Sequence, residues 1–454
     1  MTHGAAPDDY TCPFSAAVAI RSPRERIKTG IISTARGTRT TSARDRIHHG
    51  PASSDPVTHG TRPTRGANRR MAVYDGLQVD CIGDERAFMA LREPWNRLVT
   101  AMNSSGVFLL HEWFQAAWQW ARLDSDLHVL RIRRGDDVVG LFPLILRRAH
   151  RRHVAIHQIE FLSVPDTQYC GLICSESDVH ACLEAATAHL RRESKRWDHM
   201  LLRYLTEDSG AAKALTSVWA RNGMRSSIDS GGSNPYVDLS GSWDTFYRSC
   251  SRRLKKGNNL AASRLRHAGD VRIERFRPES GDLHRLPSIL DLISGISARS
   301  WKGHTPFSLD QPGPGAFIRT LSEAALRHGW LSIWILYLSD TPVAMEYQII
   351  HDGTVHALRA DFDESYGQYS PGSYLNWKIL ESLFDTGLSR YYMGPGENTY
   401  KLRWSKTGAA LNTARAYSPS LRGRALSVWN LDLKPALRRL TTVRLSGSKT
   451  GGNL

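Results

Sequence analysis

The 454-residue chain reads as an α/β protein built from two similarly ordered lobes, and three observations carry that reading. All thirteen tryptophans fall between Trp95 and Trp429, which marks the extent of the packed part. Inside it, the same succession of strand, helices, strand–turn–strand, strand, loop, helix and strand occurs twice. The charge, finally, is placed outside it. The chain carries 60 Lys and Arg against 44 Asp and Glu, a formal +16 at pH 7. Residues 1–70 hold 12 basic and 5 acidic side chains and residues 434–454 hold five basic and no acidic ones, so 71–433 is close to balance. A pI near 9.8 by itself suggests a nucleic-acid or anionic-membrane partner, but a nearly neutral interior argues against nucleic acid as the general partner.

The elements follow from hydrophobic period. Residues 77–82 alternate as a strand, and 85–102 and 111–122 repeat apolar residues at helical spacing, with Trp113, Ala117 and Trp120 on one face. Residues 127–133, the turn Arg134-Gly135-Asp136-Asp137 and 138–146 read as a hairpin. A strand at 156–162, a helix at 178–194, a strand at 198–205 and a helix at 210–222 close the first set. The second set has a strand at 271–275, a helix at 283–300 and a hairpin of 331–338 and 342–350 around Ser339-Asp340. The pair Asp352-Gly353 predicts a tight turn, followed by a strand at 354–361, a loop at 362–371, a helix at 372–385 capped by Gly387, and a strand at 389–393. Between the sets, 243–267 reads as one or two helices, strongly basic at Arg252-Arg253-Leu254-Lys255-Lys256. The expected division is a basic leader at 1–70, a first lobe at 71–236, a second lobe at 237–425 and a basic tail at 426–454. The leader is too poor in large apolar residues to offset its chain entropy, so disorder is expected there; Met71 offers an alternative start.

Several classes fall away. The longest apolar stretch, 331–350, is interrupted by Ser339-Asp340-Thr341-Pro342 and does not reach the length of a membrane span. The short apolar stretch at 15–20 has no basic residue before it and is no secretory signal. Six cysteines are too few for a disulfide scaffold, so a reduced, cytoplasmic setting is expected. Cys170, Cys174, His180 and Cys182 do not have zinc spacing and read as buried thiols, with no metal. Gly447-Ser-Lys-Thr450 lacks the rest of a phosphate-binding loop.

The stretch most able to carry chemistry is Tyr366-Gly-Gln-Tyr-Ser-Pro-Gly-Ser373, which enters a helix at Pro371-Gly372. Proline there gives up only a donor that would have had no helical partner, glycine allows close approach, and unpaired N–H groups at a helix start suit a diphosphate or carboxylate. A plain helix start explains the same residues. With this loop, the two hairpins, the stretch at 108–113 and Gly394-Pro-Gly-Glu-Asn-Thr-Tyr-Lys-Leu-Arg-Trp404, the chain over about 77–420 resembles the GNAT-type acyltransferases of the CelD group. That group is associated with cellulose or exopolysaccharide biosynthesis and is related to the Fem aminoacyltransferases. The resemblance implies a tandem pair of GNAT folds, with acyl-CoA (acetyl-CoA) as donor and its diphosphate at Gln368, Ser370, Gly372 and Ser373 of the second lobe. The usual Gln/Arg-x-x-Gly-x-Gly/Ala donor loop is altered here by Pro371 and Ser373, which leaves a bulkier aminoacyl donor open.

Acyl transfer asks for a base, a group that stabilises negative charge, and placement. Glu346, in an otherwise apolar strand, is a candidate base or binding group, or a residue turned to solvent by alternation. Asp361 and Asp363 could take its place or simply cap the loop. Tyr400-Lys401 matches an aromatic–lysine motif of the Fem relatives, which implies charge stabilisation by Lys401 and proton donation or acceptor orientation by Tyr400. A solvated basic edge is the plain alternative. The first lobe's loop, Pro165-Asp166-Thr167-Gln168-Tyr169, lacks the Ser-Pro-Gly entrance, so that lobe is expected to be the structural or acceptor-binding copy. The expected partner is a sugar or other small acceptor. Nucleic acid enters only as tRNA, under a Fem-like alternative, and the basic tails leave peripheral contact open. A non-catalytic partner of polysaccharide synthesis is the remaining reading.

Overall fold

A computed structural model describes residues 72–74, 76–102, 106–151, 154–207, 210–277 and 283–435. The basic leader at 1–70, Met71 and the tail beyond 435 lie outside the described residues. The first lobe comprises β1 (Ala72–Tyr74), β2 (Leu77–Ile82), α1 (Glu85–Met89), α2 (Arg92–Thr100), α3 (His111–Ala121), β3 (Ser125–Leu127), β4 (Val129–Arg134), β5 (Asp137–Phe142), β6 (Leu144–Arg151), β7 (Val154–Phe161), β8 (Ile173–Cys174), α4 (Val179–Arg192), β9 (His199–Thr206), α5 (Gly210–Arg221) and β10 (Ser226–Asp238). The second comprises α6 (Trp243–Ser249), α7 (Arg252–Ala268), β11 (Val271–Phe276), α8 (Leu286–Ala298), α9 (Pro312–Arg327), β12 (Leu331–Leu338), β13 (Thr341–His351), β14 (Thr354–Phe362), α10 (Pro371–Leu383), β15 (Arg390–Tyr392), α11 (Thr399–Leu402) and β16 (Gly408–Tyr417), followed by α12 (Leu421–Ser427) and a π-helical turn, Val428–Leu433.

The repeated order is therefore real, a mixed α/β fold in two copies. Each lobe contains one strand–helix–strand unit with a parallel pair, β7–α4–β9 and β14–α10–β15. The lobes are joined by strand exchange. In the eleven-stranded sheet the order is β11-β12-β13-β14-β15-β10-β16-β9-β7-β6-β3. Strand β10 of the first lobe thus pairs with β15 of the second, and β16 of the second pairs with β9 of the first. A five-stranded sheet, β1-β2-β4-β5-β8, completes the first lobe.

Strand β12, Leu-Ser-Ile-Trp-Ile-Leu-Tyr-Leu, is buried at all eight positions, as a central strand covered on both faces should be. The β13–β14 turn has Asp352 and Gly353 at φ +46° and +66°, the left-handed pair that a two-residue hairpin turn requires. One apolar core runs from the first lobe through α8 and α9 to β12 and β13. A second lies on the opposite face of the second lobe's sheet, among α7, α10, β15 and Trp404. Helix α9 begins Pro312-Gly-Pro-Gly, which reads as loop, yet it folds as helix because tertiary contact overrides propensity. Gly313 lies where a Cβ would stand 2.4 Å from Trp120 of α3, and Phe317 packs edge-on against Trp113, 5.4 Å between ring centres.

Candidate functional site

The site grows out of the parallel pair in the second lobe. Strands β14 and β15 are in register for three residues only, from Thr354↔Arg390 to His356↔Tyr392. Beyond these, β14 runs on to Phe362, while the chain after β15 is drawn away: Met393 N–H donates to Pro235 O of β10. The two strands part at Ala357, next to a bulge where β14 slips against Tyr347 and Gln348 of β13.

After β14 the chain makes a 3₁₀ turn, Glu364–Tyr369, whose start is fixed by Asp363. That carboxylate accepts from Ser365 N–H and pairs with Arg299 at 2.6 Å, and these hydrogen bonds together with the guanidinium hold its pKa low against burial. Ser370 is left-handed, φ +58°, and its N–H donates back to Gly367 O at 3.0 Å. The expectation that Ser370 N–H faces a donor is corrected by that bond. The first intrahelical bond of α10 runs from Tyr374 N–H to Ser370 O; Pro371 has no N–H, so Gly372 and Ser373 are the residues whose amides find no partner in the helix. Gly372 also has a packing reason: a Cβ there would meet Phe362 at 3.2 Å. The carbonyl of Gln368 accepts from Arg264 of α7 at 3.1 Å, which brings one guanidinium beside the helix start. The donor set of two amides and a guanidinium fits a diphosphate in its chemistry.

Glu346 does not face solvent. It is 2% exposed, because β13 is buried on both faces and alternation turns the side chain into the layer under α10. Its Oε1 accepts from Tyr391 OH at 2.6 Å and Gln348 Nε2 at 2.8 Å, and Asn376 Nδ2 of α10 lies 3.4 Å from Oε2. Burial pushes its pKa up, against these three donors. The network continues from Gln348 to Ser332, Trp334 and Arg275.

Lys401 is also buried, 4% exposed, and its Nζ donates to Gly394 O at 2.7 Å and Pro395 O at 3.0 Å. It clamps the turn after β15, where Gly394 takes φ +82°. Tyr400, its neighbour on α11, is 46% exposed. Its phenol pKa is nonetheless raised, by desolvation first and then by the negative charges of Glu346 and Asp361, as on a concave wall. The structure leaves Tyr400 half-exposed and turns Lys401 to the backbone of the Gly394–Pro395 turn. Asp361 is buried and pairs with Lys302 at 2.5 Å while accepting from Ser297 Oγ.

A polar layer between the lobes escaped sequence reasoning. Gln168, from the first lobe's loop, is fully buried and donates through Nε2 to Ala357 O at 3.1 Å, at the point where β14 and β15 part. Its Oε1 takes hydrogen bonds from Asn234 and His356. Asp166, two residues earlier, pairs with Arg359 of β14 at 2.6 Å, both side chains almost wholly buried. The signal available in sequence was the placement of that loop opposite the donor loop; its partners lie 66 to 193 residues away. Cys170, Cys174 and Cys182 are buried free thiols, and among the described residues no group of three metal-ligating side chains forms a metal site.

A tandem α/β fold with a splayed parallel pair and an open helix start defines the class. Residues 248–402, from α6 to α11, match the family model described as an acetyltransferase (GNAT) domain. The match lies within the second lobe and supports reading that lobe as an acyltransferase domain. No curated protein matches the chain. Among solved structures it is similar to FemX, at 11% identity and a TM-score of 0.46 over 75% of this chain and 98% of that one. It is also similar to a tandem GNAT protein from the clavulanic acid biosynthesis pathway, at 10% identity and a TM-score of 0.43 over 76% and 99%. A third is a GCN5-related N-acetyltransferase from Kribbella flavida, at 13% identity and a TM-score of 0.27 over 68% and 94%. Among the described residues no helix is long and apolar enough to cross a membrane.

Proposed function

We propose that the chain moves an acyl group from acyl-CoA, acetyl-CoA in the first instance, to an amine or hydroxyl of a sugar or other small acceptor, in cytoplasmic steps of exopolysaccharide or cellulose assembly. The observation that carries this reading is the coincidence of the matched segment with the open start of α10, its neighbouring Arg264 and the parting of β14 from β15. Gly372 and Ser373 would hold the diphosphate through N–H groups, with Arg264 adding charge. A bound thioester supplies an activated acyl group and a thiolate that leaves readily. Tyr400, protonated at neutral pH and half-exposed, would orient the acceptor or hydrogen-bond the leaving sulfur. Lys401 acts on the reaction by fixing the Gly394–Pro395 turn, a positioning role, and Glu346 by tying Tyr391 to α10.

Incubation of the full chain with acetyl-CoA and a panel of amino sugars, followed by free-thiol release, tests the reading. Acceptor-dependent release supports it; no release and no binding with any acyl-CoA removes it. A second reading, transfer from aminoacyl-tRNA, is favoured by the exposed Arg252, Arg253 and Lys256 of α7, whose opposite face packs through Leu254, Ala261 and Leu265. It requires tRNA binding that weakens steeply with added salt.

A further inference from the structure

On the face of the second lobe's sheet opposite α10 lies a cavity of about 360 Å³, walled by both lobes. Gln168 forms part of its lining and also holds Ala357 O, at the point where β14 and β15 part and the sheet opens toward the α10 side. The amide orientation of Gln168 decides the chemistry of this wall. Its Nε2 must donate to a carbonyl, so its Oε1 must accept from both Asn234 Nδ2, at 3.1 Å, and His356 Nδ1, at 3.0 Å. His356 therefore carries its proton on Nδ1 and keeps a lone pair on Nε2, which has no hydrogen-bond partner among the described residues. Burial holds the ring neutral, with its pKa pushed down to about 3. Asn234 Oδ1 is buried without a partner. Asn234 Oδ1 is out of a ligand's reach, so His356 Nε2 is the acceptor this wall offers, and it carries no formal charge.

Around it, the His356 ring is stacked on Tyr392, 5.4 Å between centres and 13° between planes, and Tyr169 adds a further aromatic wall. The lining also holds His351, beside Asp352 at 3.3 Å, and the exposed Asp352 and Arg390 bring one charge of each sign. An anion would meet lone pairs here, and a cation would be desolvated without a counter-charge. A neutral ring bearing O–H or N–H donors meets aromatic faces and the His356 Nε2 lone pair, and the volume suits a small ligand.

We infer that this interlobe cavity is the acceptor site, taking an uncharged, hydroxyl-bearing ring of the hexose or N-acylated amino-sugar type whose donor hydrogen-bonds to His356 Nε2. The inference rests on the acyltransferase reading and names its acceptor class. His356 is a binding residue in this account, and Gln168 a positioning residue that sets its tautomer.

The test uses the full chain without acyl-CoA. Binding of N-acetylglucosamine, glucosamine and glucuronate is measured by saturation-transfer NMR and calorimetry, and acetyl-CoA binding is measured separately. The neutral sugar is expected to bind, with glucuronate weaker. His356→Phe, which keeps the stack and removes the acceptor, should weaken the sugar about tenfold while acetyl-CoA binds as before. In wild-type protein with ¹⁵N-labelled histidine, the sugar should shift the His356 Nε2 resonance, a readout that needs no variant. Acetyl-CoA binding with no neutral sugar bound, sugar binding that leaves that resonance unmoved, or equal affinity in His356→Phe overturns the inference alone. Sugar binding that moves the resonance without any acetyl-CoA binding leaves the cavity assignment standing and removes the donor reading.

Discussion

Glu346, Lys401 and His356 are polar groups that the packing has taken out of water, and each carries a different consequence. Glu346 has a raised pKa, so in the folded state it keeps its proton at pH values where the unfolded chain, with a carboxyl near 4.3, has lost it. Its contribution is therefore fully present below that value and is lost as pH rises through the folded pKa. Urea unfolding across the acid range should show this decline in the wild type and a flatter profile in Glu346→Gln. His356 has the opposite sign: it is neutral when folded down to about pH 3, whereas the unfolded imidazole charges below about 6.5. Stability should fall on acidification between those values, by up to about 1.4 kcal/mol per pH unit from this group, and His356→Phe should remove that part. Lys401→Ala should lower turnover through loss of the Gly394–Pro395 clamp, and it should also lower stability by about 1–3 kcal/mol, because two half-buried carbonyls lose their donor. A large loss of turnover at unchanged stability would instead assign Lys401 directly to the reacting charge. In sequence, Glu346 stands out as a charge in an apolar strand, and Lys401 by the Tyr400-Lys401 pair. What their burial is for depends on Tyr391, Asn376 and the Gly394 turn, which no local pattern names.

At the scale of elements, legibility followed hydrophobic contrast. The hairpin of β12 and β13, strand β14 and helix α10 were readable because long apolar runs end at turn residues. Strands β10 and β16 were not: Ser-Ser-Ile-Asp-Ser-Gly-Gly-Ser-Asn-Pro-Tyr-Val-Asp shows little alternation, and its register comes from partners in the other lobe. Helix α9 was missed because its Pro-Gly-Pro-Gly start is also what lets it approach Trp120. Gly313→Val should therefore destabilise the protein by about 1–3 kcal/mol through overpacking, measured by urea unfolding, although the substitution would be harmless in an exposed helix. An unchanged midpoint would mean that the α3–α9 contact yields easily.

For the whole molecule, strand exchange and the shared core make the two lobes one cooperative unit. Tryptophans of both lobes should report a single coincident unfolding transition. Asp166→Ala, which leaves Arg359 buried and unpaired, should cost about 3–5 kcal/mol in that one transition. The repeat of the two lobes was visible in sequence because each carries its own strand–helix–strand unit. The polar layer that joins them was not, since Gln168 and His356 meet only through the fold. The same layer lines the cavity at His356. Calorimetric titration of acetyl-CoA into the wild-type chain and into Ser373→Pro tests the donor face at α10 most directly, because proline in a first helical turn deletes an amide donor that the helix does not use. The account predicts binding to the wild type and about tenfold weaker binding to the variant at similar thermal stability. Equal affinity in both, or no binding by a folded wild type, would contradict it.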